Sequence, residues 1–224
     1  NVIPSSRTQE TLHYLSQSKC DRIPSDVDAS IFAIGSTELD SSSFCSSVNS
    51  SLVTFALFLD RHKKDVPKTP IIYISTFQVY GTYTGLIDED TPTNPQNIYS
   101  LVHKQAEDML KVYAKQNGIN FLIVRPTNIY GTYSGIFPSR RKTLVPNCFI
   151  EEAFTKGKIT VNASKPVYRD FINIKDIISS FQSILNNFQN FSNLKVINLC
   201  SENIYDIFYI ASQLKKIINQ EFKQ

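Results

Sequence analysis

Glycine is scarce in this chain, which has only 7 glycines among 224 residues. None of them is spaced as G-x-G-x-x-G or G-x-x-G-x-x-G, the patterns that form phosphate-binding turns between a strand and a helix. The chain also does not begin with methionine. The sequence therefore predicts that no glycine-rich dinucleotide turn forms within these residues.

Long apolar runs are missing as well, since none approaches the roughly 18–20 residues needed to span a bilayer. No signal peptide is visible at the start. The four cysteines are far apart and form no C-x-x-C; they are Cys20, Cys45, Cys148 and Cys200. We interpret them as reduced thiols and expect a cytoplasmic protein without a membrane segment.

Strong charge is absent too. The net charge is only +3, and the basic residues are scattered, which argues against nucleic acid as a partner. The three histidines have no metal-ligand spacing to cysteines or acids, so we expect no metal site.

Apolar, strand-like stretches alternate with helical patterns along the chain. The predicted strands are Ser30–Ile34, Ile71–Ser75, Asn120–Val124, Phe171–Ile174 and Lys195–Leu199. The predicted helices are Val53–Arg61, Asn97–Gln116, a stretch from Phe149, and Ile204–Ile218, whereas the Ser-rich stretch Ser41–Ser51 is predicted as a loop. This alternation indicates an α/β fold with a parallel sheet, in which ligands bind beyond the carboxyl ends of the strands.

Four stretches, in this order, resemble the extended short-chain dehydrogenase/reductase family, in its NAD-dependent epimerase/dehydratase group that acts on nucleotide sugars. They are "ISTFQVYG" (Ile74–Gly81), "DEDTPTNPQNIY" (Asp88–Tyr99), "VRPTNIYG" (Val124–Gly131) with the following "LVPNCFI" (Leu144–Ile150), and "YRDFINIKDI" (Tyr168–Ile177). The resemblance implies a Rossmann-type nucleotide-binding domain at 1–131 and 169–200. It also implies a small substrate-binding lobe at 132–168 and 201–224.

The start of the chain, "NVIPSSRTQE", is similar to the family's second strand. We therefore expect that the first βα unit is missing and that the chain is an N-terminally truncated or naturally short member. We also expect that it binds NAD or NADP poorly or not at all. Arg7, just after this strand and with no acid beside it, favours the 2′-phosphate of NADP.

The resemblance assigns the reaction to two hydroxyl groups. A sugar carbon gives up hydride only if its hydroxyl loses a proton, and a tyrosinate beside a cation can accept that proton. Tyr99 matches the family's catalytic tyrosine, and Thr76 matches the hydroxyl residue that orients the substrate oxygen. A half-buried helix tyrosine and an ordinary strand-end threonine are the structural alternatives.

The family's lysine stands four residues after the tyrosine, where this chain has His103, followed by Lys104. Adjacent helix residues point about 100° apart, so Lys104 replaces the missing group only if the helix is bulged. The spacing of Ala106, Leu110 and Tyr113 favours an unbulged helix. Both His103 and Lys104 stay candidate catalytic residues; our hypothesis is that His103 hydrogen-bonds the cofactor ribose and activates Tyr99 less strongly than a lysine would.

Dehydratases of the family carry Asp-Glu directly after the serine or threonine, and this chain has Phe77 and Gln78 there. Neither side chain shuttles protons at neutral pH. Epimerisation or reduction of a ketone therefore remains, by family analogy in the biosynthesis of a surface polysaccharide.

The remaining site residues are implied by the resemblance. For the cofactor they are Arg7, Asn49, Thr76, Tyr99, His103 and Pro126. For a nucleotide-diphosphate sugar they are Asn128 and Arg169 at the phosphates and Leu144 and Val145 along the base. A helix N-cap explains Asn49 equally well, and Asp170 is expected to orient the Arg169 loop.

Two further expectations concern partners. The family often forms homodimers through a four-helix bundle, here from Phe55–Leu59 and Ala106–Tyr113, although burial in the core explains these residues equally well. The alternative to an enzyme is a non-catalytic relative that keeps the fold and binds a nucleotide sugar or a partner protein.

Overall fold

The computed structural model describes residues 23, 25–35, 43–82, 84–131 and 144–222. The strands among them are β1 (Ser30–Phe32), β2 (Ile71–Ile74), β3 (Phe121–Pro126), β4 (Asn128–Tyr130), β5 (Tyr168–Asn173), β6 (Val196–Leu199) and β7 (Ile204–Asp206). The α-helices are α1 (Phe44–Val48), α2 (Thr54–Asp65), α3 (Ile98–Asn117), α4 (Val145–Lys156), α5 (Ile174–Asn186), α6 (Phe188–Ser192) and α7 (Ile207–Phe222). A π-helical segment (Asn49–Val53) joins α1 to α2, and a 3-10 helix (Phe77–Tyr80) follows β2.

The described residues fall into two compact units. The first takes its residues from Asn1–Arg125 and Asn187–Asn198, and the second from Pro126–Asn186 and Leu199–Gln224. The domain boundaries implied by the resemblance, 1–131 with 169–200 and 132–168 with 201–224, stay a prediction.

The sheet of the first unit has the strand order β1-β2-β3-β6. β1 and β2 pair in parallel with Ser30 opposite Ile71, and β2 and β3 pair in parallel with Ile71 opposite Phe121. The central strands are buried on both faces, as expected where helices cover a parallel sheet. This pairing confirms the predicted α/β class with a parallel sheet.

Helices α2 and α3 cover one face of this sheet. Phe55 and Leu59 of α2 and Ala106, Leu110 and Ala114 of α3 are buried in one core cluster, together with residues of β1, β2 and β3. The helical spacing of these side chains lays one apolar stripe of each helix on the strands. The sequence left two explanations for Phe55–Leu59 and Ala106–Tyr113, a dimer contact and burial in the core. Burial in the core accounts for the residues of these ranges that lie in the cluster.

Helix α3 begins and ends where its sequence predicts. The Asn97 side chain accepts a hydrogen bond from Ser100 N at 2.8 Å, and Ser100 Oγ accepts one from Asn97 N at 3.3 Å, which forms a capping box. Gly118 ends the helix with a φ of +62°, a conformation that costs glycine little. The helix runs without a bulge between these caps, as the apolar spacing predicted.

The predicted loop at Ser41–Ser51 is wrong from Phe44 onward, because this stretch is helical. Ser50 Oγ donates to Ser46 O at 2.8 Å, and Ser47 is fully buried. Serine disfavours helix interiors only weakly, since its hydroxyl competes for backbone groups.

The second unit has a three-stranded sheet in the order β4-β5-β7. β4 and β5 are parallel, whereas β5 and β7 are antiparallel with Arg169 opposite Tyr205. The predicted helix Ile204–Ile218 is therefore wrong in its first three residues, which pair with β5 as β7. Helix α4 begins at Val145, earlier than predicted, with a proline in its first turn, where the missing N–H costs nothing.

Candidate active site

Thr76 lies directly after β2, at the carboxyl edge of the parallel sheet of the first unit. Its side chain is 5% exposed, and it caps the 3-10 helix because its hydroxyl oxygen accepts a hydrogen bond from Gln78 N at 3.3 Å. The preceding Ser75 N donates to Val124 O at 2.8 Å, so strand pairing continues up to this point. The backbone around Thr76 is therefore fixed on both sides.

Tyr99 lies in the first turn of α3 and is 9% exposed. Two residues before it, Asn97 Nδ2 donates to Gln78 Oε1 at 3.1 Å. This bond ties the start of the tyrosine helix to the turn that follows Thr76. The two hydroxyl residues predicted from the sequence thus lie on two segments that are joined at the end of β2.

His103 stands one helical turn after Tyr99 and is 6% exposed. Its ring lies 4.7 Å from the Tyr99 ring between centroids, in an edge-on arrangement, and its Nδ1 lies 2.9 Å from the Tyr73 hydroxyl oxygen. A Cβ built on Gly35 would lie 3.4 Å from His103 Nε2 and 3.7 Å from Ser51 Oγ. The imidazole therefore reaches the backbone just beyond the end of β1.

Lys104 does not take the position of the family's lysine. Its ammonium group pairs with the Asp108 carboxylate one turn further along α3. Since α3 is continuous at this point, Lys104 projects from a different side of the helix than His103. Tyr99 and His103 are thus in contact, Thr76 lies at the end of β2 on a segment bonded to the start of α3, and Lys104 is directed to Asp108.

A buried ion pair lies beside this group and was not predicted from the sequence. Glu107 is 0% exposed and Arg125 is 3% exposed; Arg125 Nε donates to Glu107 Oε1 at 2.9 Å, and Nη2 donates to Oε2 at 2.6 Å. Ser75 Oγ also donates to Glu107 Oε1 at 2.6 Å. Two features of the sequence could have indicated this pair, namely a carboxylate on the apolar stripe of α3 and an arginine in an apolar strand.

The environment of Arg125 explains why it stays charged. Its guanidinium lies 4.7 Å from the centre of the Tyr80 ring. Burial lowers the pKa of Arg125, but the hydrogen bonds and charge of Glu107, with help from Tyr80, outweigh burial and raise that pKa overall. Burial likewise raises the pKa of Tyr73 well above its usual value, with the charges of Glu107 and Tyr99 adding to the effect. Tyr73 is therefore a neutral phenol at physiological pH.

Two further cofactor residues were predicted from the sequence, Arg7 and Asn49. Arg7 lies outside the described residues. Asn49 is exposed in the π-helical segment, and its carbonyl accepts a hydrogen bond from Thr54 Oγ1 at 3.0 Å. The alternative that Asn49 is an N-cap is wrong, because Ser43 occupies the N-cap position of this helix.

The predicted substrate residues belong to the second unit. Asn128 Nδ2 donates to Asp170 O at 2.9 Å, and Arg169 Nη1 donates to Tyr168 O at 2.9 Å. Leu144 is the N-cap residue of α4, and Val145 is its first helical residue.

Asp170 does something other than orient an Arg169 loop, because both residues lie within β5. Its carboxylate accepts hydrogen bonds from the Thr127 hydroxyl and from Ser201 N, the latter at 3.1 Å. It therefore joins the segments on either side of its own strand.

Two searches of the described residues concern other kinds of site. No group of three or more His, Cys, Asp or Glu side chains in the described ranges is arranged to hold a metal ion. No helix within those same ranges combines the length and apolarity required to cross a membrane.

Comparison with models of known protein families decides the family. Residues 34–200 match the model of the NAD dependent epimerase/dehydratase family. The chain belongs to this family. The match covers β2, β3 and β6 of the parallel sheet, helix α3 and β5. The family resemblance read from Ile74–Ile177 is therefore confirmed.

Named relatives within the family include both epimerases and dehydratases. The chain is 30% identical over 128 residues to dTDP-D-glucose 4,6-dehydratase of Dictyostelium discoideum, an alignment that covers 51% of this chain and 28% of that protein. It is 25% identical over 176 residues to UDP-glucose 4-epimerase of Lactobacillus helveticus, covering 74% of this chain and 53% of that protein. The chain thus spans between about a quarter and about half of the length of these relatives.

Solved structures of the family share the fold. UDP-glucuronic acid 4-epimerase from Bacillus cereus in complex with NAD is 26% identical, with a TM-score of 0.75, over 86% of this chain and 59% of that one. The same enzyme with UDP-glucuronic acid and NAD is 24% identical, with a TM-score of 0.78, over 91% and 63%. These likenesses confirm the predicted Rossmann-type fold class.

Proposed function

We propose that this protein is a nucleotide-sugar epimerase or ketoreductase in which Tyr99 is the acid/base. The observation that supports the proposal is that two buried hydroxyl residues, Thr76 and Tyr99, lie on segments joined by the Asn97–Gln78 hydrogen bond. Membership of the epimerase/dehydratase family supplies the class of substrate, a nucleotide-diphosphate sugar, and the cofactor, NAD or NADP.

The described residues fit one end of such a cofactor. Gly35 leaves the volume of a methyl group open between His103 and Ser51 at the end of β1, where a ribose or nicotinamide could approach the backbone. Thr76, Tyr99, His103 and the end of β3 at Pro126 would hold that end. For the pyrophosphate, the sequence offers no glycine-rich turn, so the same 224 residues are expected to bind the cofactor weakly.

The proposed chemistry assigns one task to each hydroxyl group. A bound nicotinamide would accept hydride from the sugar carbon and return it. Tyr99 takes the proton from the hydroxyl on that carbon and gives it back when hydride returns. Thr76 donates a hydrogen bond to the same sugar oxygen, which holds it against Tyr99. If the keto sugar rotates and presents its other face before hydride returns, the product is an epimer. If the substrate is already a ketone and a reduced cofactor supplies the hydride, the reaction is a ketone reduction.

Dehydration is less well supported than epimerisation, although several relatives are dehydratases. Phe77 and Gln78 stand at the positions of the dehydratase acid and base, and Gln78 is held by its bond to Asn97. An amide cannot shuttle a proton at neutral pH.

The test supplies NAD⁺ or NADPH in millimolar excess together with UDP-, GDP-, CDP- and dTDP-sugars, and follows the products by NMR. Tyr99→Phe is expected to lower kcat by about 10²–10⁴-fold, the range for loss of a general base. Lys111→Ala, an exposed change on the same helix, is the matched control. Full turnover by Tyr99→Phe would contradict the assignment of Tyr99.

Cofactor affinity is a separate measurement. Calorimetry with NAD⁺ and NADP⁺ is expected to give dissociation constants weaker than micromolar for these 224 residues. A micromolar value would contradict the expectation of weak binding. It would also support the proposal that the chain is an enzyme.

A second candidate function is a non-catalytic relative that binds a nucleotide sugar or a partner protein. The observation that favours it is His103 in place of the family's lysine, with Lys104 engaged by Asp108. Such a protein would bind a nucleotide sugar equally well as wild type and as Tyr99→Phe, and neither form would turn it over.

In the second unit, we propose that Asn128 and Arg169 contact the diphosphate of the sugar nucleotide and that Leu144 and Val145 lie along its base. A guanidinium matches two phosphate oxygens with its fork of N–H groups. Arg169→Ala is therefore expected to weaken binding of a UDP- or dTDP-sugar while leaving binding of the corresponding nucleoside unchanged. An equal loss for both ligands would contradict the phosphate role.

We also propose a homodimer through a four-helix bundle of α2 and α3. Because Phe55, Leu59 and Leu110 are buried in the chain's own core, the contact must use other side chains. Exposed apolar residues occur on both helices, namely Leu57 on α2 and Leu101 and Val112 on α3. Leu101 and Val112, eleven residues apart, share one side of their helix. Light scattering should report a dimer that Val112→Glu converts to a monomer.

A further inference from the structure

The buried phenol of Tyr73 makes a specific hydrogen bond at the proposed site. Tyr73 is 1% exposed in β2, and its ring packs against Phe55 at 5.0 Å and Phe32 at 6.0 Å between centroids. Its hydroxyl oxygen lies 2.9 Å from His103 Nδ1, the one hydrogen-bond partner of that hydroxyl among the described residues. Tyr73 thus cannot turn its hydroxyl elsewhere without leaving the core.

The direction of this hydrogen bond follows from the chemistry of the two groups. A buried O–H needs an acceptor, and the described surroundings of Tyr73 offer Nδ1. An imidazole nitrogen accepts only when it carries no proton, so the ring proton then belongs on Nε2. An imidazolium would instead present Nδ1–H to the phenol oxygen and leave the phenol proton without an acceptor.

Among the described residues, two groups near His103 bear on this preference. The uncharged Tyr99 ring lies against it from the same helix. Glu107, one turn further along α3, is a carboxylate paired with the Arg125 guanidinium through two hydrogen bonds.

From this geometry we propose that Tyr73 is a positioning residue, which holds His103 as a neutral imidazole with its proton on Nε2 and that nitrogen directed to the end of β1. Residue 103 then places no fixed positive charge beside the Tyr99 ring. The catalytic meaning of this arrangement rests on the proposed function, whereas the position of the proton is a property of the folded chain.

The test is nitrogen-15 NMR of the histidine rings at a pH of about 8, where an ordinary imidazole is neutral. The chain has only three histidines, so the loss of one set of signals in His103→Gln assigns His103. In the wild type we expect a protonated Nε2 and an unprotonated Nδ1. In Tyr73→Phe, which keeps the ring and removes the hydroxyl, we expect the His103 nitrogens to shift towards the values of a mixture of both tautomers.

Tyr113→Phe is the matched control. It removes the phenol that lies 3.1 Å from Nδ1 of His62, a second buried histidine among the described residues. It should move the His62 signals and leave those of His103 in place. A wild-type His103 protonated on Nδ1, or His103 signals that Tyr73→Phe does not change, would overturn the proposal.

The NMR measurement needs neither cofactor nor substrate, so it separates this proposal from the proposed function. A chain that turns over no sugar but shows the Tyr73-dependent proton on Nε2 supports the positioning role and rejects the enzyme. A chain that turns over sugar with His103 protonated on Nδ1 does the reverse. If Tyr73→Phe fails to fold, the wild-type spectrum alone still decides between the two tautomers.

Discussion

Removing the carboxylate of Glu107 should destabilise the protein severely. Glu107 is fully buried and accepts three hydrogen bonds, two from Arg125 and one from Ser75. In Glu107→Ala the Arg125 guanidinium keeps its charge and its burial but loses its counter-ion. Breaking a buried ion pair in this way costs about 3–5 kcal/mol. Total stabilities are about 5–15 kcal/mol, so the change removes a large fraction of what holds the fold together.

Urea unfolding followed by circular dichroism measures this cost on the full chain. With a urea dependence of about 2 kcal/mol/M, a loss of about 3–5 kcal/mol lowers the midpoint by about 1.5–2.5 M. The slope should stay constant, since the same surface is exposed on unfolding. The double variant Glu107→Met with Arg125→Met should cost less than Glu107→Ala alone, because it removes both charges from the interior.

Asp108→Ala is the control for this experiment. Asp108 follows Glu107 on α3, its side chain is 54% exposed, and it pairs with Lys104 four residues earlier. Exposed pairs of this spacing contribute about 0.3–0.5 kcal/mol. If Glu107→Ala cost no more than Asp108→Ala, the argument that burial makes the Arg125 pair critical would be refuted.

Two further predictions concern stability. Gly81→Ala should lower the stability of the protein in urea unfolding far more than Gly118→Ala. Both glycines have a positive φ, +67° and +62°. A Cβ at Gly81 would lie 1.7 Å from Asn94 O, whereas a Cβ at Gly118 would meet no atom within 4 Å. Equal costs would show that the contact at Asn94 is relieved by loop movement. His62 has a pKa lowered by burial, against the hydrogen bond to Thr69 O that raises it, so its folded pKa lies below that of the unfolded chain. Stability should therefore be full above a pH of about 6.5 and fall as the pH drops below it, and His62→Gln should flatten this dependence in urea midpoints compared between pH 8 and 5.5. An unchanged pH dependence in His62→Gln would assign the effect to other groups.

Local signals made parts of the fold predictable. Asn97 and Gly118 end α3 through bonds within a few residues of themselves, so the sequence specified both ends. The continuous apolar runs of β2 and β3 indicated buried parallel strands for the same reason. The stretch Ser41–Ser51 was predicted wrongly because its many serines were taken as a loop signal, although serine disfavours helices only weakly.

The candidate site likewise contains residues that the sequence predicts and contacts that it does not. Thr76, Tyr99 and His103 could be named from the family pattern, because each has a fixed place in a short sequence. The bonds of Tyr73 to His103 and of Glu107 to Arg125 join residues 30 and 18 positions apart, so only the fold reveals them. A phenol in a buried strand and a carboxylate on an apolar helix face each signal an unseen partner, but neither identifies it.

The difference between an enzyme and a non-catalytic relative comes down to charge next to Tyr99. A cation about 5 Å away, at an effective dielectric constant of about 20, would stabilise a tyrosinate by about 3 kcal/mol, equivalent to about 10² in rate. The His103 ring lies at this range, with a centroid separation of 4.7 Å, and Tyr73 favours its neutral form. In His103→Lys the new ammonium group can donate to the Tyr73 oxygen but removes the acceptor of the phenol proton. Circular dichroism must therefore first show that the variant is folded. If Tyr99 is a working base, His103→Lys should accelerate turnover by about that factor; if the folded variant turns over no sugar, weak activation of Tyr99 fails as an explanation, and the non-catalytic function is favoured.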